Sequence, residues 1–233
     1  MTDIKANKIL VWDAPVRVFH WLMVLSFAGA YITSEGERWR LVHVSLGYTL
    51  GGLVVFRIFW GFMGTRYARF SSFIRGPSAV IRYARSMLSG ELEHHVGHNP
   101  VGAVAIVLLI LLSVLLVATG WSIYNDIGSG WLEDVHDVAG NLMLAVVGVH
   151  VAGVAVATWL HRENLVRSMV TGMKERAPEQ GIGRAWRPLA LVILLMVLGF
   201  LWYQWQSAPS QATSGNTAEE TTKYVFRGHD DDD

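Results

Sequence analysis

Apolar residues run along this chain in stretches too long for the core helices of a water-soluble domain, separated by shorter polar pieces that carry most of the charge. A window of bilayer length finds five of them, at about 18–36, 41–63, 101–124, 137–160 and 188–205. The third is the plainest, because Val101 to Asn125 contains no charged residue. The first and last are short. Trp21 and Trp39 bracket the first, however, and Trp186, Trp202 and Trp205 bracket the last, as aromatic belts do at the two interfaces of a bilayer. The pattern predicts an all-α integral membrane protein with five transmembrane helices. Between the second and third spans Pro77 opens a shorter segment in which Val80, Ile81, Ala84 and Leu88 recur on one face beside Arg82 and Arg85, as in a helix floating at the interface.

Composition agrees, with 52% hydrophobic and only 16% charged residues, so lipid is the main surrounding. Lysine and arginine sort by side. With the N-terminus inside, Lys5, Lys8, Arg17, Arg66, Arg69, Arg75, Arg82, Arg85, Arg162, Arg167, Lys174, Arg176, Arg184 and Arg187 are cytoplasmic, whereas Arg38, Arg40, Lys223 and Arg227 are outside. The positive-inside rule therefore predicts a cytoplasmic N-terminus and an outer C-terminus. Nineteen basic residues balance nineteen acidic ones, which leaves no positive field for nucleic acid. The absence of cysteine removes thiolate zinc sites, iron–sulfur clusters and covalent haem attachment. The start lacks a small-residue cleavage pattern, so the first apolar segment is expected to stay in the mature protein. The stretch 206–233 reads as a flexible acidic tail on the outer side, its closing aspartates a solvated end or a docking point for a basic partner.

Four histidines lie inside or at the ends of the spans: His20, His43, His136 and His150. Ionisable groups at membrane depth are costly and usually functional. His20 starts an outgoing helix from the cytoplasmic side and His43 starts the returning one from outside, so they occupy opposite leaflets. The fourth span repeats both depths. His136 is near its outer end, and His150 follows 14 residues later, about 21 Å further in and about 40° short of four full turns, hence on the same side. Depth pairs His43 with His136 toward the outside and His20 with His150 toward the cytoplasm. Two neutral imidazoles per metal suit a haem gripped from both faces, whereas a closed zinc site wants four ligands. The inventory fits two b-type haems.

Glycines one turn from the outer ligands, in His43-x-x-x-Gly47 and His136-x-x-x-Gly140, leave room for a ring, with Gly51 a turn further, although glycine is also an ordinary helix-contact residue in membranes. Arg57 lies 14 residues after His43, at the depth of the inner haem, and there it either meets a haem propionate or snorkels to the headgroups. Arg17 and Arg40 are further propionate candidates with interfacial anchoring as the alternative. His94, His95, His98 and His161, at the cytoplasmic side, are either solvated or proton carriers for a quinone. His229 carries no signal.

The chain resembles the bacterial cytochrome b561 superfamily, which includes the cytochrome b subunits of membrane-bound nickel–iron hydrogenases. The resemblance covers about Val11 to Lys174 and rests on VWDAPVRVFHW around His20, WRLVHVSLGY around His43, GHNPVG before the third span, VHDVAGNLML and GVHVAG around His136 and His150, and HRENLVRSMVTG. It implies a four-helix di-haem core, residues 1–176, in a bacterial inner membrane, passing electrons between quinone and a partner, with the ligands at His20, His43, His136 and His150. Residues 177–205, a cytoplasmic linker and a fifth span, and the tail at 206–233 are additions to the minimal pattern.

The leading expectation is an electron-transfer subunit between the quinone pool and a periplasmic redox protein such as a c-type cytochrome. A hydrogenase anchor and a superoxide:quinone oxidoreductase are the alternatives within the family. A histidine-based metal-ion transporter is the rival from another class. It is disfavoured because Asp and Glu are absent from the span interiors.

Overall fold

A computed structural model describes residues 7–89, 95–176 and 178–207. Its helices are α1 (Ala14–Ile32), α2 (Arg40–Met63), α3 (Phe70–Phe73), α4 (Pro77–Ser89), α5 (Pro100–Tyr124), α6 (Trp131–His161), α7 (Leu165–Thr171) and α8 (Arg187–Gln206). Five of them, α1, α2 with its 3-10 lead from Glu37, α5, α6 and α8, are long and apolar enough to cross a membrane. The expected span count holds, while two boundaries move. α1 begins at Ala14 and ends at Ile32, against an expected 18–36. Its start is fixed by Asp13, whose carboxylate accepts from the Val16 amide at 2.8 Å, and by Pro15 in the first turn, where no N–H is needed. At its end Thr33 turns its hydroxyl back onto the Gly29 carbonyl at 2.7 Å. α6 starts at Trp131, six residues before the expected 137, and takes Glu133 and Asp134 into its first turn, where the helix dipole favours acid.

α1 packs along α2, α2 along α5, and α5 along α6, while α8 lies against α1 and α2. α6 is not among the closely packed neighbours of α1 or α2, and within it only Ala139, Met143 and Ala157 are buried. The bundle is therefore tight between successive helices and open where α6 faces α1 and α2.

Two short strands depart from a purely helical reading. β1 (Asn7–Leu10) pairs antiparallel with β2 (Met173–Arg176), Asn7 opposite Arg176 and Leu10 opposite Met173. The ribbon belongs to a cap that closes the arginine-rich end of the bundle. Ile9, Val11, Trp12, Val16, Trp60, Tyr67 and Ala68 form its apolar core. Asp13, with 0% exposure, also accepts from Trp60 Nε1 at 3.1 Å and Thr65 Oγ1 at 2.6 Å. The segment expected as a linker to the fifth span is bonded into this cap, since Ile182 donates to the Leu10 carbonyl and Ala14 to that of Ala185, both at 2.8 Å. α4 docks through Tyr83, which is 1% exposed, and leaves Ile81 and Ala84 facing outward. His94, His229 and the expected acidic tail beyond residue 207 lie outside the described residues.

Candidate functional site

At the end of the bundle opposite the cap, α2 and α6 bring His43 and His136 together with ring centroids 6.1 Å apart and planes at 70°. Metal–imidazole bonds are about 2 Å long, so two rings bonded to one metal from opposite faces have centroids about 6 Å apart. Each ring has its second nitrogen occupied. His43 Nδ1 lies 2.8 Å from the Ala30 carbonyl, and because a carbonyl only accepts, Nδ1 carries the proton. His136 Nδ1 lies 2.8 Å from Thr119 Oγ1. That hydroxyl already donates to the Leu115 carbonyl at 2.8 Å, so the imidazole must be the donor here too. With Nδ1 protonated in both, the two Nε2 atoms keep their lone pairs for a metal.

At the cap end, His20 of α1 stands close enough to His150 of α6 to feel a charge there, and His98 feels both. His20 Nδ1 is buried without a hydrogen-bond partner, an orphaned donor or acceptor of the kind a bound group satisfies. His98 is not the solvated loop residue that its position implies. Its ring packs 4.5 Å from Trp12 and 4.9 Å from Phe73, and its Nδ1 is buried without a partner. Burial, followed by the charges of Arg57, Lys174, His150 and His20, pushes its pKa down to about 3. His161 is half-buried at the end of α6.

A Cβ added at Gly47 would meet nothing within 4 Å, and one at Gly140 only Leu116 at 4.0 Å. Both helix surfaces are thus bare one turn from a histidine. Gly51 differs, since a Cβ there would come within 3.0 Å of Val117, which makes it a contact between α2 and α5. Among the described residues no group of three or more His, Asp and Glu gathers to hold a bare ion. All-imidazole donors in pairs and bare glycine surfaces beside them fit a flat metal macrocycle.

Arg57 turns toward the chain that follows α2 and is covered there. It is 4% exposed, gives Nη1 to the Ala68 carbonyl at 3.0 Å, and lies over the Phe70 and Phe73 rings at 5.0 and 5.8 Å. Arg17, one turn before His20, ties α1 to α7 by donating to the Val170 carbonyl at 2.7 Å, while its buried Nε has no partner. Arg40 sits over Tyr124 at 5.9 Å, at the end opposite the cap. Sequence reasoning missed Thr119 and also Gly120, where a Cβ would stand 3.0 Å from His136 Cε1. Both fall in an uncharged apolar run that reads as lipid-facing filler, and nothing local marks them as the wall behind a ring 16 or 17 residues later.

Fold and site define a multi-pass helical membrane protein with paired imidazoles at two depths. Residues 11–172 match the family model described as prokaryotic cytochrome b561, and the chain belongs to that family of membrane cytochromes of the haem b type. Over 142 residues it is 30% identical to the probable Ni/Fe-hydrogenase 1 B-type cytochrome subunit of Escherichia coli (strain K12), an overlap of 50% of this chain and 60% of that relative. The chain thus spans about three-fifths of that relative's length. It is 24% identical over 216 residues to the probable Ni/Fe-hydrogenase B-type cytochrome subunits of Rhizobium leguminosarum bv. viciae and Rhodobacter capsulatus, covering 72% of this chain and 90% and 82% of theirs. No solved structure matches the chain.

Proposed function

We propose that this chain carries electrons across the bacterial inner membrane between the quinone pool and a redox protein on the periplasmic side, as a subunit with two b-type haems. His43 and His136 hold the haem toward the periplasm, and His20 and His150 hold the one toward the cytoplasm. The observation that carries this reading is the facing of His43 and His136 at 6.1 Å with both Nδ1 protons committed elsewhere. Bound between these histidines, haem would supply a one-electron couple, and a donor set of two imidazoles for each metal suits electron transfer. The protein does the rest. Ala30 and Thr119 fix ring orientation and make each Nε2 more basic, and Gly47 and Gly140 keep the helix surfaces clear. Both Arg17 and Arg57 give Nη1 to a backbone carbonyl, but Arg17 keeps a buried Nε without a partner, which makes it the donor best suited to an inner propionate. Arg40 is the corresponding cation at the outer end. His98, held neutral by burial, is too weak a base to relay protons to quinone near neutral pH.

The names of the three relatives favour a nickel–iron hydrogenase as the periplasmic partner. A c-type cytochrome is the other candidate, and superoxide oxidation without a partner a third. Co-purification with the native membrane complex separates them.

A reduced-minus-oxidised visible spectrum with pyridine haemochrome quantitation tests the centre of the reading. Two non-covalent haems per chain are expected. His43→Ala and His136→Ala should each remove one and the same haem, and His20→Ala and His150→Ala the other. Loss of the same haem from His20→Ala and His43→Ala would refute the pairing. A correctly assembled but colourless protein would favour the metal-transport alternative.

A further inference from the structure

At the end of the bundle that holds His20 and His150, the chain leaving α2 and the chain entering α5 surround a cavity of about 350 Å³. Arg66, Arg75, Ser71, Ser72, His95 and Tyr67 are among its walls, and among the described residues no carboxylate lines it. Much of the local hydrogen bonding is already spent. Tyr67 donates to the Gln180 carbonyl at 2.8 Å and Ser72 to that of Arg69 at 2.6 Å. The charge that faces a ligand comes from the two guanidinium groups, Arg66 lying over the Tyr67 ring at 5.5 Å, with the exposed Ser71 hydroxyl and the His95 and His98 rings beside them. Two guanidinium groups on one small cavity repel each other, and an anion between them reverses the sign of that interaction.

Depth and surroundings say which anion. α2 ends at Met63 and α5 begins at Pro100, so the cavity lies where two spanning helices leave the hydrocarbon, at headgroup level. Toward the bilayer the surface beside it turns apolar, with Phe62 71%, Met63 68% and Val101 41% exposed. Cations at the mouth with bare hydrocarbon-facing side chains next to them match an amphipathic anion. Arginine forks suit phosphate oxygens in particular, and basic pockets between spanning helices are places where anionic headgroups settle. A quinone head lacks the charge that would use these arginines.

We propose that this cavity holds the phosphate of an anionic phospholipid, with the acyl chains lying over Phe62, Met63 and Val101. Free phosphate would use the same donors without the chains. The proposal rests on the membrane-spanning reading and is independent of the haem ligands, so haem content serves as a separate readout.

The full-length protein in mild detergent is examined by native mass spectrometry and thermal unfolding with added phosphatidylglycerol, phosphatidylcholine or inorganic phosphate. Phosphatidylglycerol is expected to remain bound and raise the midpoint, with phosphatidylcholine and inorganic phosphate well behind. The Arg66→Gln/Arg75→Gln double variant should retain phosphatidylglycerol about tenfold less at unchanged haem content. The Arg66→Lys/Arg75→Lys pair, which keeps the charge should glutamine impair folding, should retain part of it. Arg69→Gln, on the same connection but outside the cavity, should behave as wild type. Equal stabilisation by inorganic phosphate and phosphatidylglycerol, lost in the glutamine pair, overturns the lipid as source. Phosphatidylglycerol retention unchanged in both double variants, or a retained quinone that those variants release, overturns the site.

Discussion

A ring that binds metal through one nitrogen is set by what the other nitrogen touches, and Thr119 would do this for His136, a proposed ligand at the end opposite the cap. Thr119→Val keeps the volume and removes the acceptor, so haem affinity at that site should fall about 10- to 100-fold. The Leu116 carbonyl, also within hydrogen-bonding reach of His136, limits the loss to the lower part of that range. Haem titration of the apoprotein checks it, with Thr119→Ser restoring binding. His98 offers a prediction of different sign. Its pKa is depressed from 6.5 to about 3, so between those values the unfolded chain binds the proton and the folded one does not. Stability should therefore fall as the pH drops below about 6.5, by up to about 1.4 kcal/mol per pH unit from this group. His98→Phe, which preserves packing between Trp12 and Phe73, should flatten the denaturation profile between about pH 5 and 6.5, and an unchanged slope would contradict the assignment. The facing of His43 and His136 was legible in the sequence because depth and helical phase are arithmetic. Thr119, Gly120 and the sandwiching of His98 were not, because each depends on a neighbour brought close only by folding.

Elements were legible wherever hydrocarbon dictates them. A run such as 101–124 has only one way to satisfy its backbone in lipid, which is a helix, and α5 differs from that expectation by one residue at its start. The cap was invisible for the opposite reason. β1 and β2 are separated by nearly the whole membrane domain, and each is four residues long, too short for any alternation to register. Asp13 likewise reads as a polar flank, although it joins α1, the end of α2 and the following turn through three accepted hydrogen bonds. Asp13→Ala removes a helix cap, a loss of about 0.5–2 kcal/mol. It also leaves the buried Trp60 and the part-buried Thr65 donor without an acceptor, at about 1–3 kcal/mol each. A total of several kcal/mol should appear as a lower unfolding midpoint in detergent and as faster proteolysis near the N-terminus. Asp13→Asn, which can still cap through Oδ1 but turns an amide N–H₂ toward both Trp60 Nε1 and Thr65 Oγ1, should fall between.

For the whole molecule, His136 and His150 are about 21 Å apart along α6, so in the proposed function sidedness decides which pair would serve quinone and which a partner. Arg66, Arg69, Arg75 and Arg82 follow the end of α2, and Arg162 and Arg167 follow the end of α6, whereas Arg38 and Arg40 stand at the opposite end, where α2 begins. Inserting the chain the other way would carry the larger set across the membrane. The sequence has no cysteine, so a single introduced thiol reports the side without a background. Ser129 in the turn before α6 and Ser78 in the first turn of α4 are both exposed. Ser129→Cys should react with an impermeant maleimide in spheroplasts, and Ser78→Cys only after the membrane is opened. Labelling in the reverse order would leave the pairing of the histidines intact and exchange their roles. His43 and His136 would then face the cytoplasm, and a periplasmic partner would have to be sought at the capped end.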